Sequence, residues 1–223
     1  MAVRDLDIVH PEVERYLASL IPPRDRVLAE MEARARREGI PIVGPVVGRW
    51  FYQLAVITGA KRVMELGSAI GYSTLWWARA VGGRGRGRRG KVWYTDSDPA
   101  NARDALAYLR RAGVADRVEI MVGDAVECMG RVRGKFDVVF CDIDKEGYPA
   151  AYRAAMRRLR RGGLFLCDNT LWSGRVAFGR AGAARDRSTA AIQRLNRLAY
   201  ASDERAFAVL IPLRDGVTVA VKR

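Results

Sequence analysis

Four residues carry most of the chemical information in this chain: Asp142, Lys145, Asp168 and Asn169. Phe136-Asp-Val-Val-Phe-Cys-Asp142-Ile-Asp-Lys145 and Leu164-Phe-Leu-Cys-Asp168-Asn169 are short apolar runs that stop abruptly at carboxylate or amide oxygens. Such runs read as buried strands, and α/β sheets bind ligands beyond the carboxyl ends of their strands. There Asp142, Asp168 and Asn169 would offer three hard oxygen ligands to a divalent cation, with positions left for water and substrate. Lys145, three residues past the first ligand, is near enough to serve the same site. Beside a metal and partly desolvated, its ammonium form is disfavoured, which suits a proton acceptor. The alternative is a solvated lysine at a helix start, paired with Asp144 or Glu146. His10, the only histidine, precedes Pro11 near the terminus and is a poor base. The constellation suggests chemistry on an oxygen-rich substrate held by a divalent metal.

The elements that must position these residues follow from periodicity. From Lys61 onward strand and helix patterns alternate, the mark of a parallel sheet with right-handed crossovers. Strands are predicted near 62–66, 91–95, 117–122, 136–141 and 164–167, and helices near 73–81, 99–112, 125–130, 147–160 and 186–201. The tail, Ala206 to Pro212 and Val217 to Val221 around Arg214-Asp-Gly216, reads as an antiparallel hairpin. Before Lys61 the chain reads helical over Glu12–Leu20, Asp25–Arg37 and about Val46–Ile57. The architecture expected over 1–223 is one domain, a three-layer α/β sandwich at 61–223 with a helical N-terminal extension at 1–60.

The other strand ends suggest a nucleotide. Val63-Met-Glu65-Leu-Gly67-Ser-Ala-Ile-Gly71-Tyr-Ser73 reads as strand, glycine turn and helix start, so backbone can approach a ligand and the helix N-terminus favours an anion. The turn lacks the middle glycine that admits a pyrophosphate, and a smaller anion such as an amino-acid carboxylate fits better. Asp96 closes the next strand, where an acid accepts hydrogen bonds from ribose hydroxyls. Gly123-Asp124-Ala125 closes the third and can reach an adenine edge. For Asp98 and Asp124, capping of the following helix is an equal alternative. An adenosine-bearing cofactor with a carboxylate describes S-adenosylmethionine.

Composition narrows the class. The 223 residues, nearly half of them apolar, suit one substantial core, and no apolar run approaches the ~18 residues of a membrane span. The N-terminal residues show no signal-peptide pattern, and Cys128, Cys141 and Cys167 form no CxxC, so a reducing cytoplasm without disulfides or structural zinc is expected. The formal charge of +14 is nearly all arginine, because lysine occurs only at Lys61, Lys91, Lys135, Lys145 and Lys222. Scattered arginines read as solvated helix faces before they read as a nucleic-acid groove. The one dense tract, Gly82 to Gly90, reads as a surface connector. Trp172, just beyond Asp168-Asn169, is either a wall for an aromatic substrate or a plug anchoring its loop, whereas Trp76, Trp77 and Trp93 lie in core-type runs.

Taken together, Val63–Ser73, Val118–Ala125, Phe136–Tyr148, Asp168-Asn-Thr-Leu-Trp-Ser-Gly-Arg175 and Ile211-Pro-Leu-Arg-Asp-Gly-Val-Thr218, with the lead-in Ile40–Gly44, resemble the cation-dependent O-methyltransferases of the caffeoyl-CoA and catechol type. The resemblance implies a Rossmann-like class I methyltransferase sheet of seven strands, mostly parallel with the last reversed. It implies metal ligands at Asp142, Asp168 and Asn169, with magnesium first and calcium or manganese as alternatives. It places Glu65, Gly67 and Ser73 around the methionine end of the cofactor, Asp96 on the ribose, and Asp124 and Ala125 near adenine. Val43 would contact the cofactor through its backbone, and Asp142 would border cofactor and metal alike. Lys145 and Asp142 are the expected catalytic residues and Trp172 the substrate contact. Two departures stand out: Asp144 replaces the aromatic that animal catechol enzymes place beside adenine, and their second catalytic carboxylate has no match. The substrate expected is a small catechol-like phenol, with a hydroxylated uridine of tRNA as the alternative. A homodimer is expected through the N-terminal helices, whose apolar residues Tyr16, Leu17, Leu20, Val27, Leu28 and Met31 exceed what one helical layer buries.

Overall fold

The computed structural model describes residues 7–82, 90–178, 186–201 and 204–223. Most of the Gly/Arg tract, residues 83–89, lies outside the described residues. The chain divides into two compact units, Tyr16–Asp137, and Met1–Arg15 with Val138–Arg223.

In the Tyr16–Asp137 unit, α2 (Arg26–Glu38) starts at Asp25, whose side chain accepts from the amides of Val27 and Leu28. Such a cap is worth about 1 kcal/mol. The helix stops at Gly39, which takes the left-handed conformation (φ 68°) that terminates helices without steric cost. Helix α3 (Gly44–Ile57) approaches α4 (Tyr72–Val81) so closely that a Cβ on Gly48 would lie 2.2 Å from Trp76 Nε1. Phe51 stacks on Trp77 at 4.5 Å across the same contact. Strands β1 (Arg62–Leu66), β2 (Lys91–Asp96) and β3 (Val118–Val122) pair in parallel, with Val63 opposite Val92 and Val92 opposite Val118. Helices α5 (Pro99–Arg111) and α6 (Ala125–Arg131) follow β2 and β3. Trp76, Trp77 and Trp93 are buried, as their apolar contexts predict.

In the other unit, β4 (Phe136–Cys141, beginning at the division itself) leads to α7 (Tyr148–Arg158), β5 (Leu159–Cys167), α8 (Arg187–Ala199), β6 (Ala206–Ile211) and β7 (Val217–Lys222). Strand β7 runs antiparallel to both β5 and β6, with Leu164 opposite Val221 and Val209 opposite Val219. The sheet has seven strands in the order β3-β2-β1-β4-β5-β7-β6, a Rossmann-like α/β arrangement whose last strand is reversed. One boundary differs from the sequence reading: α7 ends at Arg158 and β5 begins at Leu159 rather than near 164. Lys222 accounts for the early stop, because its Nζ donates to Met156 O at 2.6 Å and Leu159 O at 3.0 Å. Those carbonyls at the end of α7 are satisfied from β7, so the helix need not continue.

Cys128, Cys141 and Cys167 are buried free thiols. Among the described residues no helix is long and apolar enough to cross a membrane. Helix α1 (Pro11–Ser19) buries none of its residues, and Tyr16, Leu17 and Leu20 are exposed. Val27, Leu28 and Met31 are instead buried within the chain. Of the six apolar residues read as a surplus, the exposed ones are thus those of α1 and its C-terminal end, while Val56 and Ile57 of α3 are exposed as well.

Candidate active site

The glycine turn after β1 is built from backbone conformations that side chains resist. Gly67 and Gly71 have φ of 81°, and Ala69 is held at φ 44°. A Cβ on Gly71 would meet the Ala105 side chain at 2.9 Å. Strand β2 fastens this turn. Asp96 Oδ2 accepts from Ala69 N at 2.8 Å, Tyr94 Oη donates to Ala69 O at 2.7 Å, and Thr95 N donates to Ser68 Oγ at 3.3 Å. Thr95 Oγ1 also donates to Glu65 O at 2.7 Å. Asp96, read from sequence as a ribose acceptor, fixes the turn through Oδ2, while its Oδ1 accepts from Asp98 N and Asn101 Nδ2. Tyr94 and Thr95 were missed because strand periodicity marks them only as core.

Around the turn, Glu65 is fully buried and accepts from Thr74 Oγ1, and Ser73 is buried in the first turn of α4. Helix α4 has no side-chain cap at Gly71, so its leading amides keep the donor capacity that suits an anion. Val43 is buried at the N-cap of α3. Asp124 and Asp98 both realise the capping alternative: Asp124 Oδ1 accepts from Glu127 N at 2.8 Å, and Asp98 Oδ1 accepts from Ala100 N at 2.7 Å. Ala125 is buried at the start of α6.

In the other unit the four residues singled out at the start come together. Lys145 Nζ donates to Asp142 Oδ1 and to Asn169 Oδ1, both at 2.8 Å. The lysine side chain is only 14 % exposed, so the reading of it as a solvated partner of Asp144 or Glu146 is not realised. Burial works against its ammonium, but Asp142's charge and hydrogen bond outweigh burial and raise the pKa. The lowering expected from sequence is for a lysine beside a bound metal; here the Asp142 carboxylate lies directly against the amine. Asp168 is 2 % exposed. Burial, with the charge of Asp142 added, pushes its carboxyl up to about 7.

Two oxygens converging on one cationic nitrogen, with a buried like-charged carboxylate adjoining, form a donor set that fits a hard divalent cation. Asp142, Asp168 and Asn169 are the residues able to hold one. Among the described residues no cluster of three or more His, Cys, Asp or Glu side chains suits a metal, and this set includes an asparagine amide.

Sequence reasoning missed three supports of this cluster. Tyr148, fully buried, donates its hydroxyl to Asp168 O at 2.9 Å and lies 3.4 Å from Asp142 Oδ1. The turn between β6 and β7 grips the loop after Asn169: Gly216 O accepts from Thr170 N, Asp215 O from Leu171 N, and the Asp215 carboxylate from Ser173 N. That loop holds Asn169, Trp172 and Ser173 at positive φ, a cost on the order of 1–3 kcal/mol each that the surroundings must sustain. Asp186 accepts from Trp172 Nε1 at 3.3 Å, and Lys145 Nζ lies 5.7 Å from the Trp172 ring. Trp172 is thus both anchored at its nitrogen and near the lysine. The Arg-Asp-Gly triplet marked a turn, but nothing local revealed which loop it holds.

Comparison with known proteins gives a consistent family. A family model described as O-methyltransferase matches residues 26–223. A catechol O-methyltransferase of Mycobacterium tuberculosis is 37% identical over 169 residues, covering 74% of each chain. The O-methyltransferase from Bacillus cereus, solved in complex with SAH, superposes with a TM-score of 0.81 at 27% identity, covering 95% of this chain and 96% of that one. TomG from Streptomyces achromogenes, an O-methyltransferase involved in tomaymycin synthesis and solved with SAM, has a TM-score of 0.81 at 26% identity, covering 95% and 96%. With nearly its whole length matched, the chain belongs to the O-methyltransferase family.

Proposed function

We propose that the protein transfers a methyl group from S-adenosylmethionine to a hydroxyl of a catechol-like phenol, with a divalent cation, magnesium first, held by Asp142, Asp168 and Asn169. The observation that carries this reading is the convergence of Asp142 Oδ1 and Asn169 Oδ1 on Lys145 Nζ beside buried Asp168. The M. tuberculosis catechol O-methyltransferase supports the substrate class, and the relatives solved with SAH and SAM support the cofactor.

The chain's own residues divide the work. Gly67 and the leading amides of α4 receive the cofactor carboxylate, Asp96 the ribose hydroxyls, and Asp124 and Ala125 the adenine edge. Glu65, Ser73 and the Val43 backbone complete the methionine end. When bound, the cation supplies electrostatic stabilisation of a deprotonated hydroxyl, which is needed because a phenol with pKa near ~10 is mostly protonated at neutral pH. Lys145 would remove the hydroxyl proton at Nζ, a role open to it once a cation offsets the charge of Asp142 that otherwise favours its ammonium. Trp172 offers a ring face to the aromatic acceptor. The exposed apolar residues Tyr16, Leu17 and Leu20 supply a homodimer contact.

The test is methyl transfer from labelled S-adenosylmethionine to a catechol panel and to hypomodified tRNA, with and without chelator. Chelator-sensitive methylation of catechols is expected. Methylation of tRNA with all catechols ignored would overturn the substrate class, and full activity in chelator would overturn the metal.

A further inference from the structure

The N-terminal helix α2 carries a buried carboxylate that neither the family motifs nor the mechanism uses. Glu32 is 3 % exposed. It receives a fork from Arg24, with Nε at 3.1 Å from both carboxylate oxygens and Nη2 at 2.9 Å from Oε2. Its Oε1 also accepts from Tyr72 Oη at 2.8 Å. Tyr72 is the first residue of α4, directly after the left-handed Gly71 and directly before Ser73, and is 1 % exposed. Burial and the adjacent carboxylate both push the Tyr72 phenol up, so it stays a donor.

A buried carboxylate is costly unless its hydrogen-bonding capacity is met, and here Arg24 and Tyr72 meet it from two sides. The bond fixes the side chain of the residue at which the glycine turn becomes helix. A second tie joins the same two helices elsewhere: Arg79, near the C-terminal end of α4, donates to Asp25 at 2.7 Å. That pair is more exposed, with side-chain accessibilities of 27 % and 44 %, and lies at the end of α4 away from the turn.

We infer that Glu32 is a positioning residue for the cofactor: through Tyr72 it holds the turn Gly67–Gly71 and the leading amides of α4 in their binding geometry, so that α2 sets cofactor affinity without touching the cofactor. The inference rests on the reading of that turn as the S-adenosylmethionine site.

Calorimetry with S-adenosylhomocysteine and saturation kinetics would be run on the full chain carrying Tyr72→Phe, Glu32→Gln, both together, Arg79→Gln, and Asp96→Ala. Tyr72→Phe removes one hydroxyl and leaves the Arg24–Glu32 pair intact, so it tests the idea even if Glu32→Gln folds poorly. Tyr72→Phe and Glu32→Gln should each raise Kd and the KM for S-adenosylmethionine about tenfold, the worth of a hydrogen bond to a charged group. Turnover at saturating cofactor should stay within about twofold of wild type. The double variant should be no weaker than the poorer single one, because both remove the same interaction. Arg79→Gln should lower the melting temperature and leave Kd unchanged. An unchanged Kd in Tyr72→Phe overturns the inference, as does an equal loss of affinity in Arg79→Gln, which would reduce Glu32 to general packing. If Asp96→Ala leaves binding intact, the cofactor site itself has been misplaced, a failure visible independently of Glu32.

Discussion

The glycine turn and the acidic cluster are held by opposite means. Around Gly67–Gly71 the work is done by backbone groups: Ala69 contributes both its amide and its carbonyl, to Asp96 and Tyr94. The conformation is fixed by glycines and by the strand beside them, and the charges there are few. Around Asp142 the work is done by side-chain charge. A lysine is drawn between a carboxylate and an amide, and a second carboxylate is buried at 2 % exposure. A backbone cradle is pre-organised without its ligand. A cluster of buried like charges is complete only with a cation, whether ammonium or metal. The difference teaches where sensitivity is expected: on the proposed function, affinity at the turn and rate at the cluster.

The strongest way to break that comparison is at the cluster. Asp168→Ala should cut turnover about a thousandfold, from the several kcal/mol that charge stabilisation supplies, while S-adenosylhomocysteine binding by calorimetry stays near wild type. A large loss of cofactor affinity in this variant would show that the two regions are not separable. Chelation of the wild-type protein should reproduce the same split. Next, Lys145→Ala should lower kcat about a hundredfold or more, as expected for removal of a general base, with little change in cofactor Kd. An unchanged rate would return Lys145 to a purely electrostatic partner of Asp142. At the turn, Asp96→Ala should weaken cofactor binding at least about tenfold, because both a ligand contact and the anchor on Ala69 are lost. Turnover at saturation should move far less. The smallest effect is expected at Gly216, whose φ is 83° and whose added Cβ would lie 2.5 Å from Leu171 Cγ. Gly216→Ala should cost about 1–3 kcal/mol of stability, seen as a lower melting temperature. An unshifted melting point would mean that the grip on the Asn169–Ser173 loop is slack.

Residue types and periodicity alone determined much of this protein. Strand-end acids at Asp96, Asp142 and Asp168, the glycine spacing of the turn, the alternation of strands and helices, and the final hairpin all follow from local pattern, because burial on a sheet and left-handed turns constrain residue type at each position. The choice between alternatives came from elsewhere. Whether Asp98 and Asp124 cap helices depends on where α5 and α6 start, and in the structure both do. Lys145 could have faced solvent or the acids; it donates inward to Asp142 and Asn169, and the charge and hydrogen bond of Asp142 act against the lowering that burial alone would give. Tyr148, Asp215 and Asp186 brace the acidic cluster from other segments. Glu32, 40 residues before Tyr72, reaches the start of α4 from a helix that reads merely as amphipathic. A local pattern records what each residue must avoid, such as water or a disallowed φ. Which partner it finds is a long-range matter, and only the tertiary fold brings those partners together.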